Sequence, residues 1–355
     1  MGTLTLTVQD GGGFCECATC TAWKTKYSTT VSTVLHFVNQ VAEIIEDWMA
    51  QEENKTYARE DLKILFYAYN SQTIAPTKWN ESTQKYEPID ETMEMHPLTG
   101  VFYAENSNAS YRSPFTADDT NANVYENMQA WGDLTDNYFL WTYTTDFDRY
   151  LYPTDTFGFY NSTFYQHLYN CGVDYLFNQS QTYQKGTTTA WHNLKQYIDA
   201  KLLWNSSLDE SELIDKWFNA TFGDAATIMR EVFDSERAWV QYIYKTYNTK
   251  NLNNRTYMPY AMLTQWRTSC EEALKIVEKY KDSDPKYYQS LCDHIDAEWV
   301  SFAYVTIDLW DNTDTIPSEE RSELVAKLKK MVKRLGMTCI SEHSRDFQGW
   351  VEDLK

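Results

Sequence analysis

Leu4, Leu6 and Val8 alternate with Thr3, Thr5 and Thr7, the period-two pattern of a strand with one buried face. The alternation stops at Asp10, before a Gly11-Gly12-Gly13 turn. Between Val31 and Met49 the spacing changes: Val34, Leu35, Phe37, Val38, Val41, Ile44 and Ile45 recur every three or four positions, which predicts an amphipathic helix. Leu62 to Tyr69 (LKILFYAY) is a short apolar and aromatic run between polar turns, the composition of a buried parallel strand. A helix between two such strands is a βα unit, and its repetition means a parallel sheet.

The same reading predicts strands at Thr92 to His96, Tyr138 to Tyr143 (YFLWTY) and Val173 to Phe177, with helices at Asn121 to Trp131, Phe159 to Cys171 and Thr188 to Trp204. Trp79 to Thr120 is otherwise the least regular part, and Gly100 to Thr120 reads as a long Asn-, Ser-, Asp- and Thr-rich loop. From Leu208 the strand signal disappears. Asp209 and Glu212 form a capping box, and helices are predicted at Asp224 to Tyr247, Met258 to Tyr280, Asp284 to Trp310 and Pro317 to Leu335. Pro285 follows Asp284 as a first helical residue follows its cap, and Gly336 ends the last helix. The expected fold class is α/β: five strands, numbers four to eight of a (β/α)8 barrel of the TIM type, followed by an all-α domain. The expected domains are 1–205, the carboxyl-terminal part of the barrel, and 206–355, the helical part.

The chain has 355 residues, enough for two cores. Its formal charge of −20 makes nucleic acid and anionic membrane surfaces poor partners. No apolar run approaches the ~18–20 residues that a membrane-spanning helix needs. Aromatic residues make up 16% of the chain, 27 Tyr and 13 Trp among them; most must pack internally, but flat apolar faces with a polar edge also suit stacking on sugar rings.

In a barrel, chemistry gathers at the carboxyl ends of the strands. Asp10 stands at such an end, and a partly apolar barrel mouth raises a carboxyl pKa enough for a general acid; its plainer role is an Asx-turn to the glycines. A glycosidic bond is flanked by two carboxyl groups whose separation decides retention or inversion. Glu16, Asp146 and Glu105 are the candidates for the second, each otherwise a solvated acid. Tyr67 with Tyr69, and Trp141 with Tyr143, share strand faces and line either the mouth or the helix-facing core. Asn70, Asn178 and Gln179 end strands where they can bind a hydroxyl or cap a turn. Cys15, Cys17 and Cys20 form either a disulfide pair or, with His96 as a conceivable fourth ligand, a zinc site. Cys171, Cys270, Cys292 and Cys339 read as buried apolar residues, and His36 and His192 as packing or surface groups.

The strand with Asp10-Gly11, then Phe14-Cys15 and the CxCxxC spacing, resembles the DUF4838 family of bacterial glycoside-hydrolase-like proteins. So do Ala68-Tyr69 before Pro76, the run Ala200-Lys201-Leu202-Leu203-Trp204, and Phe222-Gly223-Asp224-Ala225-Ala226, the last a close helix approach. The likeness spans roughly Leu4 to Ala226. The family includes the endo-β-N-acetylglucosaminidases of glycoside hydrolase family 163 and is distantly similar to α-glucuronidases, whose fourth barrel strand ends in an acid-Gly-Gln turn carrying the proton donor. The resemblance implies Asp10 as proton donor, a glycan substrate rich in β-linked N-acetylglucosamine, no cofactor, and an extracellular or cell-surface location. It also implies that strands one to three and an export signal lie upstream, so the chain alone is expected to be nearly inactive. Two features depart from the family: Thr142 stands where an acid is the rule, and the cysteines of a Cys…His…Cys cluster around His96 are lacking. These departures favour an alternative, a non-catalytic carbohydrate-binding protein with a degenerate cleft. A weaker alternative is an assembly module pairing through an open sheet edge.

Overall fold

The computed structural model describes residues 2–7, 13–69, 73–104, 115, 121–153, 161–179, 191–247, 249, 252–342 and 346–354. They fall into two compact units, one from the described residues of 1–110, 114–143 and 163–179, the other from those of 144–162 and 180–355.

The first unit is built on a five-stranded parallel sheet, the half-barrel that the βα pattern predicts. Its strands are β1 (Gly2–Leu6), β2 (Leu62–Tyr69), β5 (Thr99–Ala104), β6 (Tyr138–Tyr143) and β7 (Val173–Gln179), side by side in chain order. The intervening β3 (Thr77–Asn80) and β4 (Lys85–Pro88) form a separate antiparallel hairpin, in which Trp79 and Tyr86 meet edge to face at 5.0 Å. Helices α1 (Ala18–Tyr27), α2 (Val31–Ala50), α3 (Ala122–Leu134) and α4 (Ser162–Asn170) complete the unit. On α2 the buried positions Val31, Leu35, Val38 and Ala42 make the stripe that packs on β2, as its three- and four-residue spacing requires. Phe37, Ile44 and Trp48 lie outside that stripe and are exposed.

The middle of the sequence departs from expectation. Glu91–Met93 is a single 3-10 turn capped by Asp90, whose side chain accepts the Thr92 N–H, so Thr92 to His96 is no strand. The third strand of the sheet is instead Thr99–Ala104, inside the stretch read as loop. Its sequence, TGVFYA, has no polar-apolar alternation and includes Gly100, a residue depleted in strands. Gly100 is needed there because a Cβ would lie 2.5 Å from the Asn137 carbonyl oxygen.

The second unit contains α5 (His192–Trp204), α6 (Glu210–Phe222), α7 (Ala226–Tyr247), α8 (Tyr260–Val277), α9 (Pro285–Trp310), α10 (Ser318–Leu335) and α11 (Phe347–Asp353). The predicted caps hold: Asp209 accepts the Glu212 N–H and Asp284 the Tyr287 N–H, both at 3.0 Å, and Gly336 closes α10 in a left-handed conformation. From Glu298 to Ile307 every residue of α9 is buried, the pattern of a helix enclosed by its neighbours. Gly223 admits the close approach that its motif implies, since a Cβ would lie 2.5 Å from the Tyr287 hydroxyl.

Candidate functional site

Because side chains alternate along a strand, the register sorts the sheet into two faces. One carries Ile64, Phe66, Ala68, Val101, Tyr103, Tyr138, Leu140 and Thr142, all buried; Phe66 meets Trp131 of α3 at 6.0 Å. This is the helix-facing core.

The other face is aromatic in cross-strand rows. Tyr67, Phe102, Phe139 and Tyr175 are in register across four strands, and Tyr69, Ala104, Trp141 and Phe177 form the next row. A β-bulge between Tyr138 and Phe139 brings Tyr175 and Phe177 into these rows; without it they would turn to the opposite face. Tyr67 stacks on Phe102 at 4.9 Å and reaches Trp141 at 6.0 Å, and Phe177 meets Trp141 edge-on at 4.7 Å. Toward the carboxyl ends of the strands, Tyr143 is opposite Gln179, and the Trp141 Nε1–H donates to Gln179 Oε1 at 2.9 Å. Tyr67 and Trp141 are half-buried, whereas Tyr175 is 50% and Phe177 37% exposed. Burial raises the Tyr67 pKa, so its hydroxyl keeps its proton and remains a donor.

The structure therefore brings Tyr67, Tyr69, Trp141, Tyr143 and Gln179 together on one surface, opposite the helix-facing core. Phe102, Phe139, Tyr175 and Phe177 belong with them and escaped the sequence reading. No alternation in Gly100 to Ala104 marks Phe102, and no local signal announces the bulge that turns Tyr175 and Phe177. Asn178 lies on the opposite face, where its Oδ1 accepts from the Thr142 hydroxyl at 3.2 Å. Asp10, Asn70 and Glu105 lie outside the described residues. Asp146 belongs to the second unit, where its carboxylate accepts the Asp148 N–H at 3.1 Å. Glu16 is exposed beside the three cysteines. The described residues of the aromatic face carry no carboxylate, so they supply stacking surface and hydrogen bonds.

The cysteine loop forms a second cluster. Cys15, Cys17 and Cys20 are free thiols whose sulfurs all lie within 4.8 Å of one another. The Cys20 N–H and the thiols of Cys15 and Cys20 hold Cys17 down at about 7, while thiol contacts with Cys17 and Cys15 push Cys20 up to about 11. Cys15 and Cys20 line a cleft of about 590 Å³ with Phe14, Glu16, Thr21 and Lys24. His96 is engaged elsewhere: its Nε2 is 3.2 Å from Glu46 and its Nδ1 accepts the Leu98 N–H. It does not join the thiol group.

In the second unit, Glu236 and Glu298 are buried beside Trp191, whose indole N–H donates to Glu236 at 2.9 Å and whose backbone N–H donates to Glu298 at 3.2 Å. Burial first, then the charge of Glu236, pushes Glu298 up to about 8. Trp191 thus holds both acids, Glu236 by its indole and Glu298 by its backbone N–H, and Glu298 borders a smaller cavity of about 190 Å³ with Asn193, Trp217 and His294.

No curated protein and no solved structure matches the chain. Residues 3–234 match the family described as domain of unknown function (DUF4838), a span that takes in all of the half-barrel sheet but Gly2 and continues into α7. The chain belongs to the DUF4838 family.

Proposed function

We propose that the protein acts on glycans, as part of an exported glycoside hydrolase that cleaves β-linked N-acetylglucosamine-containing or related chains by acid-assisted hydrolysis. The observation that carries this reading is the aromatic face of Tyr67, Trp141 and Phe177, with Gln179 and Tyr143 at its carboxyl-terminal rim. Side chains that fill a closed barrel are mostly branched and aliphatic; wide, partly exposed rings instead suit the apolar faces of pyranose sugars. Asp10 is the proposed proton donor, with Glu16 or Asp146 as the second acid.

The second reading, a carbohydrate-binding protein without turnover, gains from Thr142, which stands where the family carries an acid and is tied to Asn178. Binding and turnover separate the two. Chito-oligosaccharides are expected to change the tryptophan fluorescence of the chain, and Trp141→Ala to weaken binding by roughly 2- to 10-fold, since stacking contacts are worth about 0.5–1.5 kcal/mol. In a form that carries the completed ring, Asp10→Asn is expected to abolish release of an aryl β-N-acetylglucosaminide while binding persists. Binding with no turnover by the unsubstituted protein would favour the second reading, and failure to bind any oligosaccharide would remove both.

A further inference from the structure

Cys15 and Cys17 precede α1, and Cys20 lies within its first turn. Residues three apart across such a turn project from one side of the helix end, and a two-residue step brings Cys15 back to them. The result is a triangle of sulfurs no more than 4.8 Å on a side. With metal–sulfur bonds of about 2.3 Å, thiolates around one ion stand roughly 3.8 Å apart in tetrahedral and 4.0 Å apart in trigonal geometry. The triangle is within about 1 Å of either, and small torsional adjustments of these side chains close that gap. We propose that Cys15, Cys17 and Cys20 bind a thiophilic d10 cation, Zn2+ or Cu+.

Thiolates are soft donors and select such ions over Mg2+ or Ca2+, which take oxygen. The first turn of a helix presents backbone N–H groups without intrahelical partners, and its positive end favours the negative charge of a thiolate cluster. Lys24 lines the same cleft and offsets that charge further. Coordination changes no oxidation state: each thiol that binds releases its proton to solvent. Among the described residues no carboxylate or imidazole completes the set. A trigonal Cu+ is then satisfied by the three sulfurs, whereas Zn2+ takes a fourth donor, water or an external ligand, from the cleft bordered by Glu16 and Thr30. The ion would also pin the loop to the start of α1.

The test uses the reduced chain, stripped with a chelator and loaded anaerobically with Zn2+ or Cu+. One equivalent retained after desalting is the expected result, and the ion that is retained tells trigonal from tetrahedral binding. Cys17→Ser and Cys20→Ser are each expected to weaken affinity more than ~100-fold, since each removes one of only three protein ligands. Co2+ in place of Zn2+ should give sulfur-to-metal charge-transfer bands. Alkylation of the unsubstituted protein gives a readout that no folding defect can mimic. Metal should protect exposed Cys15 and Cys17 and half-buried Cys20, while buried Cys171, Cys270, Cys292 and Cys339 remain unreactive with or without it. Retention of well under one equivalent of both ions, affinity unchanged in Cys17→Ser and Cys20→Ser, or alkylation indifferent to metal would each overturn the proposal.

Discussion

Glu298 shows how one side chain can set a pH response. Held at about 8 by burial and by Glu236, it keeps a proton in the folded state that the unfolded chain gives up near 4.5. Its contribution is complete below about pH 4.5 and is lost as the pH rises through 8. At about 1.4 kcal/mol per unit, the loss is on the order of a few kcal/mol. Glu298→Gln keeps an acceptor for the Trp191 N–H and is expected to flatten thermal stability between pH 5 and 8 relative to the unsubstituted chain; parallel pH profiles would refute this. His167 and His192 act in the opposite sense. Burial holds each down at about 4, so their contributions are lost as the pH falls from about 6.5 toward 4. Comparing Glu298→Gln with its parent cancels the histidine effects. Gly132 is a second residue whose weight lies in its neighbours: a Cβ there would lie 2.3 Å from the Cys171 carbonyl oxygen. In an open helix Gly→Ala gains about 1 kcal/mol, but overpacking costs roughly 1–3 kcal/mol. Gly132→Ala should therefore lower the urea midpoint; a rise would mean that α3 moves freely from the 171–172 turn.

Among elements, those with strong local periodicity and capping chemistry are legible from the sequence. The α2 stripe, the α6 and α9 caps and the β2 and β6 runs all follow from side-chain spacing and from cap residues with a defined partner. The Asp209 carboxylate accepts the Glu212 N–H, an otherwise unpaired donor of the first turn of α6. Asp209→Ala is expected to cost about 1 kcal/mol, read as a shift in the unfolding midpoint, with Asp209→Asn close to the parent. Elements whose identity depends on neighbours are the ones that escape. Thr99–Ala104 (TGVFYA) carries no polar-apolar alternation, and only its place between β2 and β6 makes it a central strand. The Thr77–Pro88 hairpin is likewise held by tertiary contact, since the Tyr86 N–H donates to Asp133 of α3 at 2.9 Å.

For the whole molecule, the two faces of the half-barrel differ in what covers them. The helix-facing side is buried on all three central strands, while the aromatic side ends in exposed Tyr175 and Phe177. An apolar surface of this kind on a folded chain marks a binding region. The native protein is therefore expected to enhance the fluorescence of a hydrophobic dye. Tyr175→Ser with Phe177→Ser should reduce that signal by at least about half and leave the melting temperature within a few degrees, because these rings are near the β7 edge. An unchanged signal would place the dye elsewhere, for instance along Phe37, Ile44 and Trp48 of α2. No helix among the described residues is long and apolar enough to cross a membrane, and the charge of −20 disfavours polyanionic partners.

The sequence by itself determined the class of the fold, four of the five strands in the sheet, most helix boundaries and the gathering of three cysteines in one loop. Periodicity, caps and spacing act over a few residues and need no distant partner. Only the tertiary structure decided which five segments make the sheet and which strand face is turned away from the helices. It also decided that Tyr175 and Phe177 align with Trp141 and that His96 stays apart from the thiols. Those outcomes depend on register, a bulge and contacts between residues far apart in the chain, where the energies that choose between alternatives arise only once the chain has folded.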